Sequence, residues 1–359
     1  MKRICFIDYD MSVTGGVEQV TASLANTLSK FCEVHVVSLV NKGELAYRFD
    51  PAVKHSTLLE QEERLSEMRK KLKTVLSNYL NANGIDVAFL QGNYPGFLGS
   101  VARFKTKTKL VFCDHGALMN QWDRKDIVVI RLISSFLCHK VITLTEQSRN
   151  DYRKRFLLSA KKVDCIYNWI DSDVPRSDSY DAESKRIVSA GRFGKEKGFD
   201  LLVKAFAPVA KKHSDWVLDI FGDGEMMDTV KDLVDEYALN DNVNLLGMRR
   251  DLADRYRDYA MYVLPSYREG MPLVLLEAKA NRLPIVSFDI MTGPKEIVRD
   301  QIDGILVEPY NLEKLGDSIC RLIEDREERI RMSERSQENL NKFSKETITD
   351  KWLELIQKM

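Results

Sequence analysis

Two glutamates stand out in the largely apolar stretch "SYREGMPLVLLEAKA" (266–280): Glu269 and Glu277. Proline is favoured in the first turn of a helix, so a helix is predicted to begin near Met271–Pro272. Glu269 then precedes the helix and Glu277 lies in its second turn. The backbone N–H groups left free for an anion would be those of Gly270, Met271, Leu273 and Val274. The segment predicts an anion site between two carboxylates able to accept hydrogen bonds from sugar hydroxyls. The alternative is that Glu269 complements the helix dipole and Glu277 is a surface residue.

Two cations precede another predicted helix in "AGRFGKEKGFDLLVKAF" (190–206). Arg192 and Lys197 would lie at its N-terminus, near Gly198, and two charge-assisted bonds there, about 1.5–3 kcal/mol each, would suit a diphosphate. A solvated charged turn is the alternative. Two further loops follow predicted strands, and they contain Gly222 in "FGDGEM" and Met248 and Arg249 in "LGMRRDL".

Two candidate groups lie in the first half of the chain. Gly15 and Gly16 precede a predicted helix, where free N–H groups can meet an anion. The spacing differs from G-x-G-x-x-G, so no dinucleotide cofactor is indicated. His115 follows a predicted strand within "DHG", where the choice between a structural and a catalytic histidine stays open.

Short apolar strands alternate with helical patterns along most of the chain, which predicts parallel sheets covered on both faces. The predicted strands lie at 3–9, 33–40, 86–90, 109–113, 140–144 and 163–167, and then at 186–191, 216–222, 242–247, 261–265, 284–288 and 304–308. The polar segment 171–184 between the two series is predicted to be a linker, and 312–359 to be consecutive helices. Two Rossmann-like domains are therefore expected. Their binding edges lie at the carboxyl ends of their strands and are expected to face each other across a cleft.

The composition is that of an ordinary globular protein. Lys and Arg total 54, as do Asp and Glu, so no net charge points to nucleic acid. The six cysteines show no C-x-x-C pair and no neighbouring histidine cluster, which favours reduced thiols and argues against a structural zinc site. No secretory signal or membrane-spanning run is recognised, and a cytoplasmic protein is expected.

Four segments, in this order and spacing, resemble the retaining glycosyltransferases of family 4, which have the GT-B fold: "GRFGKEKGFDLL", "FGDGEM", "SYREGMPLVLLEA" and "TGPKEIV" (292–298). The E-x7-E arrangement of Glu269 and Glu277 is that family's hallmark. With "TGGVEQ" and "DHG", the likeness covers nearly the whole chain and is densest in 186–310. It implies an N-terminal acceptor domain (1–170), a nucleotide-sugar domain (171–343) and a terminal helix (344–359) that crosses back to the first domain.

The resemblance implies roles for the residues around the sugar and the nucleoside. Glu277 would bind the ribose hydroxyls of a nucleotide-sugar, and the loop at Met248–Arg249 would contact the base. Glu269 would hold the donor sugar together with the backbone of Gly270, Met271 and Pro272. Two further glycines belong to the expected donor site: Gly15 and Gly222.

The resemblance also implies a charge clamp that needs no metal. Arg192 and Lys197 would hold the diphosphate, helped by the backbone of Gly16 and Leu273–Val274, and His115 would lie against the donor sugar near the anomeric centre. Preorganised positive charge stabilises a departing diphosphate. No metal ligand, cofactor or protein nucleophile is therefore assigned, and the Asp-x-Asp motif at 171–173 falls in the expected linker.

The acceptor is less constrained. A glycan or lipid-linked acceptor is expected, with a UDP-sugar donor in bacterial surface polysaccharide synthesis. Between the basic segments 103–109 and 149–162, the helix pattern at 126–140 is apolar except for a stripe at Arg131, Ser135 and His139. It would either lie on an anionic membrane surface or be buried in the domain. A GDP-mannose transferase, a sugar-nucleotide epimerase and a non-catalytic nucleotide-sugar binding partner remain alternatives.

Overall fold

A computed structural model of the protein describes residues 1–40, 42–170, 176–249 and 251–359. The chain forms two compact units, the first made of Met1–Asn168 and Glu346–Met359 and the second of Trp169–Lys345. The division expected from the sequence was 1–170, 171–343 and 344–359. The first part of the expected linker (171–175), with the Asp-x-Asp letters to which no metal was assigned, lies outside the described residues.

The first unit is a seven-stranded parallel sheet with strand order β3-β2-β1-β4-β5-β6-β7. Its strands are β1 Arg3–Asp8, β2 Glu33–Ser38, β3 Lys54–Thr57, β4 Val87–Gln91, β5 Lys109–Asp114, β6 Lys140–Thr143 and β7 Val163–Cys165. Its helices are α1 Gly16–Leu28, α2 Leu65–Ala82, α3 Asn93–Gly99, α4 Lys125–Leu137 and α5 Glu146–Arg155, with 3-10 turns at Ser100–Phe104 and Leu118–Gln121. The strand β3 was not predicted, because "KHST" contains no apolar residue and pairs only at the sheet edge.

The second unit is a six-stranded parallel sheet with strand order β10-β9-β8-β11-β12-β13. Its strands are β8 Arg186–Ala190, β9 Val217–Phe221, β10 Val243–Leu245, β11 Met261–Leu264, β12 Ile285–Phe288 and β13 Gly304–Val307. Its helices are α6 Phe199–Lys212, α7 Met227–Glu236, α8 Leu252–Arg255, α9 Leu273–Ala280, α10 Pro294–Ile297, α11 Leu312–Glu324 and α12 Arg326–Ser336, with 3-10 turns at Lys195–Lys197, Tyr256–Asp258 and Leu340–Phe343. The predicted fold, two Rossmann-like parallel sheets, is confirmed.

The last helix, α13 Lys345–Lys358, packs on the first unit, where Trp352 meets the ring of Phe89 edge-on at 5.2 Å between ring centroids. Phe89 lies in β4, whose five residues are all buried. A strand buried on both faces needs helices on both sides, and α13 supplies part of that cover.

The described part of the polar segment, 176–184, is held on the second unit. Arg282 donates to the carbonyl of Ser177 over 3.1 Å, and Tyr180 donates to the carbonyl of Ala260 over 2.6 Å. Several side-chain bonds of this kind order a segment despite its lack of regular structure. No helix in the described residues has the length and apolar character needed to cross a membrane.

Candidate active site

Two loops meet at the carboxyl edge of the second sheet, one after β8 and one after β11. The N–H of Tyr267 donates to the carbonyl of Glu196 over 2.8 Å. Gly198, with φ 67°, lies so close to the second loop that a Cβ built there would be 2.2 Å from the carbonyl oxygen of Pro265. Because β8 and β11 are neighbours in the sheet, residues 72 positions apart in sequence come into contact here.

Lys197 and Glu269 form an ion pair within this contact. Lys197 Nζ lies 2.7 Å from Glu269 Oε1, which also accepts a hydrogen bond from Ser266 Oγ over 2.7 Å. The Glu269 side chain is only 8% exposed, and the stem of Lys197 lies over Gly191. The resemblance assigned the two residues to diphosphate and sugar separately, whereas the structure pairs them with each other.

The helix after Glu269 begins at Leu273, slightly later than predicted, and Pro272 precedes it with an extended ψ of 104°. No side chain caps the helix, so the N–H groups of Leu273 and Val274 have no partner within it. Gly270 and Met271 form the turn between Glu269 and the helix, and Met271 is buried. Thr292 Oγ1 donates to the carbonyl of Glu269 over 2.7 Å and so joins the segment "TGPKEIV" to this turn. The arrangement offers partial positive charge directly beside Lys197 and Glu269.

Glu277, in the second turn of α9, is partly buried and accepts a hydrogen bond from the hydroxyl of Tyr256 over 3.2 Å. Burial raises the pKa of the Glu277 carboxyl, and the Tyr256 hydroxyl partly offsets the rise. Tyr256 is itself fully buried. The alternative of a free surface residue is therefore wrong for Glu277.

Three loops at the same sheet edge carry the remaining predicted donor residues. Gly222 has φ 134°, and a Cβ there would lie 1.8 Å from the carbonyl oxygen of Gly191. Arg192 is exposed. Met248 is 69% exposed, and Arg249 lies 3.6 Å from a carboxylate oxygen of Asp251. Glycine is required at position 222 because the backbone of Gly191 lies too close for a side chain. The side chains of Arg192, Met248 and Arg249 extend into solvent.

In the first unit, His115 follows β5 at the carboxyl edge of the sheet. Its Nε2 lies 2.5 Å from Oε1 of Gln91, the last residue of β4. Burial lowers the pKa of His115 to about 4, so the ring is neutral at pH 7. The structure thus presents a neutral imidazole hydrogen-bonded to Gln91.

A buried network holds the loop that carries His115. Arg131 is fully buried and lies 3.2 Å from Asp114 Oδ1, while the hydroxyl of Tyr152 donates to Asp114 Oδ2 over 2.7 Å. Arg131 Nε also donates to Asn93 over 3.0 Å. Arg131 and Ser135 of the polar stripe at 126–140 are therefore buried, because they face inward on α4 and are paired there. His139 follows α4, and its Nδ1 accepts a hydrogen bond from the N–H of Leu110 over 3.1 Å.

Carboxylates surround the start of α1 at Gly15 and Gly16. A Cβ built on Gly15 would lie 2.3 Å from Glu18 Oε2, so this side chain folds back over the helix start. Asp8 and Asp10 are buried nearby, and burial followed by the charge of Glu18 raises the pKa of Asp8 to about 7. An anion at Gly15 would have to displace Glu18, whereas a Cβ built on Gly16 would meet nothing within 4 Å.

Two family models match the chain almost end to end. Residues 14–174 match Glycosyltransferase Family 4, and residues 174–339 match Glycosyl transferases group 1. The protein is a glycosyltransferase with the GT-B fold.

Bacterial glycosyltransferases are similar to this one over their full length. An uncharacterized glycosyltransferase of Haemophilus influenzae is 27% identical over 98% of this chain and 99% of its own. The amylovoran biosynthesis glycosyltransferase AmsD of Erwinia amylovora is 25% identical over 99% of both chains. Among solved structures, Anabaena HepE in complex with UDP and glucose superposes with a TM-score of 0.82 at 19% identity, covering both chains completely. At that identity the superposition supports the fold alone.

Two polar partners in this glycosyltransferase escaped sequence reasoning. Gln91 ends an apolar strand run, and Tyr256 lies in "RYRDYAMYV", where three tyrosines offer no basis for choosing one. The only available signal for Gln91 was its position, because polar residues at strand ends line the binding edge of such sheets.

Proposed function

We propose that the protein is a retaining, metal-independent glycosyltransferase that moves a hexose or N-acetylhexosamine from a UDP-sugar to a glycan or lipid-linked acceptor in bacterial surface polysaccharide synthesis. The observation that carries the proposal is the Lys197–Glu269 pair beside the uncapped N-terminus of α9. A cation and a helix N-terminus at one point suit a diphosphate, and an adjacent carboxylate suits sugar hydroxyls. AmsD, named for amylovoran biosynthesis and similar over its full length, supports the role in polysaccharide synthesis.

The chemistry follows from where charge develops. When the anomeric bond breaks, negative charge grows on the departing diphosphate. Lys197, Arg192 and the N–H groups of Leu273 and Val274 would stabilise it without a metal. Lys197 then changes partner from Glu269 to phosphate, which frees Glu269 to accept from a donor hydroxyl.

The remaining steps in our proposal use the substrates themselves. The acceptor attacks the same face that the diphosphate leaves, and a diphosphate oxygen takes its proton, so configuration is retained and no protein nucleophile is assigned. Glu277 would hold the ribose.

Binding and product analysis test the proposal. UDP should raise the melting temperature more than GDP, because a ligand stabilises the folded state in proportion to its affinity. Glu277→Ala should weaken UDP binding, and Glu269→Ala should lower turnover more than UDP binding. In the wild-type protein, UDP binding and turnover should both persist in EDTA. A preference for GDP would favour the GDP-mannose transferase. Release of an altered sugar nucleotide without acceptor would indicate an epimerase. UDP binding without transfer across an acceptor panel would indicate a non-catalytic partner. Inverted product or strict metal dependence would contradict the mechanism.

The acceptor side includes a contact with anionic membranes in our proposal, through residues of the helix 126–140 and the basic segment 103–109 that the sequence indicated. Phe104, Val129 and Phe136 are 64%, 51% and 57% exposed. Arg103 joins the 3-10 turn of Phe104 to the end of α4 by donating to the carbonyl of Leu137, and Lys73 lies 5.8 Å from the Phe104 ring centroid. Exposed aromatic side chains bordered by cations favour an anionic lipid surface.

Vesicle sedimentation separates this contact from ordinary surface exposure. The protein should bind vesicles containing anionic phospholipid more than neutral ones, and less at high salt. The double variant Phe104→Ser/Phe136→Ser should lose binding, whereas Leu157→Ser, at an 88% exposed leucine after α5, should keep it. Equal binding by both variants would rule out this surface.

A further inference from the structure

Three metal-binding side chains converge at the C-terminal end of α6. His213 follows α6, and Cys320 and Glu324 lie four residues apart on one face of α11. One ligand atom from each lies within 4.8 Å of the others, and His213 Nε2 is 2.9 Å from Glu324 Oε1. Within the described residues this is a group of histidine, cysteine and carboxylate rather than a cluster of acids alone.

We propose that His213, Cys320 and Glu324 form a binding site for a divalent transition-metal ion, with Zn²⁺ the best match. Thiolate sulfur, imidazole nitrogen and carboxylate oxygen are the ligand types that Zn²⁺ uses in proteins. Tetrahedral ligands at Zn²⁺ lie roughly 3.3–3.6 Å apart. Here the three ligand atoms lie within 4.8 Å of one another, with the His213–Glu324 pair at 2.9 Å. Three protein ligands leave the fourth position to water.

The neighbouring cation does not block the site. Lys212 forms an ion pair with Glu324, but both side chains are about half exposed, at 60% and 47%. Exposed pairs of this kind contribute little, and the long lysine stem can turn away into solvent. Removing Lys212 should therefore leave metal binding unchanged or strengthen it.

The position of the site separates it from the donor chemistry. The helix α6 begins beside Lys197–Gly198 and ends at Lys212, just before His213, and its 14 residues span about 20 Å. The ion would join α6 to α11, two helices packed on each other in the second unit, far from Glu269. Its consequence is added stability of the second unit, independent of whether the proposed transfer reaction is correct.

Cobalt absorption tests the site directly. After metal removal, one equivalent of Co²⁺ added to the full-length protein should produce a near-ultraviolet thiolate charge-transfer band. Cys320→Ser should abolish the band, whereas Cys165→Ser, a matched change at another half-buried cysteine, should retain it. Glu324→Gln and His213→Gln should each weaken binding at least tenfold, and Lys212→Met should not.

Thermal unfolding provides a second readout. Zn²⁺ at about 100 times its Kd should raise the melting temperature by about 5 °C in the wild type. The rise should vanish in Cys320→Ser and persist in Cys165→Ser. A cobalt band that survives Cys320→Ser, or no band and no zinc-dependent rise in the wild type, would overturn the proposal.

Discussion

The contact between Gln91 and His115 predicts a large pKa change from a substitution that alters almost no volume. Gln91 is buried, and its Oε1 faces His115 Nε2 at 2.5 Å. Gln91→Glu places a carboxylate at the same position. An opposite charge at this distance raises the pKa of a histidine by about 1–3 units, so His115 should titrate between about 5 and 7 instead of at about 4.

The direction in which folding stability changes with pH follows from proton linkage. The folded pKa of His115 is about 4, against an ordinary value of 6.5, so the unfolded chain binds more protons between these values. Folding stability is therefore fully present above pH 6.5 and falls as the pH drops to 4, by at most about 3 kcal/mol from this residue. The carboxylate of Gln91→Glu should move the affected range upward and reduce this loss, with the two groups titrating as a coupled pair.

Proton NMR of the histidine rings measures the effect, with the His115 signal assigned through His115→Asn among the five histidines. Gln91→Met is the matched control, because it has a similar volume and no charge, and its His115 pKa should stay low. If His115 titrates near 6.5 in the wild type, or has the same pKa in both Gln91 variants, the reasoning from burial and contact fails.

Three further substitutions test the paired side chains. Lys197→Met should lower the free energy of unfolding by about 2 kcal/mol in urea titrations, because it leaves the Glu269 carboxylate buried without its cation; an unchanged value would show that the pair is not formed. Arg131→Met should lower the free energy of unfolding by about 3–5 kcal/mol, because it leaves the Asp114 carboxylate buried without its cation. Vesicle binding of the folded protein should stay unchanged, and a selective loss of that binding would place the Arg131 side chain at the surface. Tyr256→Phe should cost about 1 kcal/mol and weaken UDP binding in calorimetry by misplacing Glu277, whereas unchanged affinity would separate this hydrogen bond from the donor site.

The sheet architecture was predictable because strands buried on both faces are continuous apolar runs. The runs that became β1 and β4 contain almost no polar residue, and turn residues bound them. The edge strand β3 has neither property, because it has one neighbouring strand and none of its residues is buried in the core. Its existence depends on pairing with β2, which no local pattern encodes.

The location of the candidate site was predictable, but its pairing was not. The residues after parallel strands must share one edge of a sheet, and this rule placed Lys197 and Glu269 together. Whether they bind ligands separately or each other depends on side-chain positions that spacing does not determine. The same applies to Gly15, where the carboxylate of Glu18 takes the place expected for an anion.

The helix α4 shows why a polar stripe on an apolar helix is ambiguous. The helical periodicity indicates that Arg131 and Ser135 share a face of α4. This holds whether the helix lies on a membrane surface or is buried in the domain. Which face is buried depends on whether the core holds a partner for the charge, and here Asp114 is that partner. Once Arg131 is paired inside, the apolar residues Val129 and Phe136 are left facing solvent. The buried Arg131–Asp114 ion pair therefore determines which face of α4 is buried. The opposite, apolar face is the one for which the membrane contact is proposed.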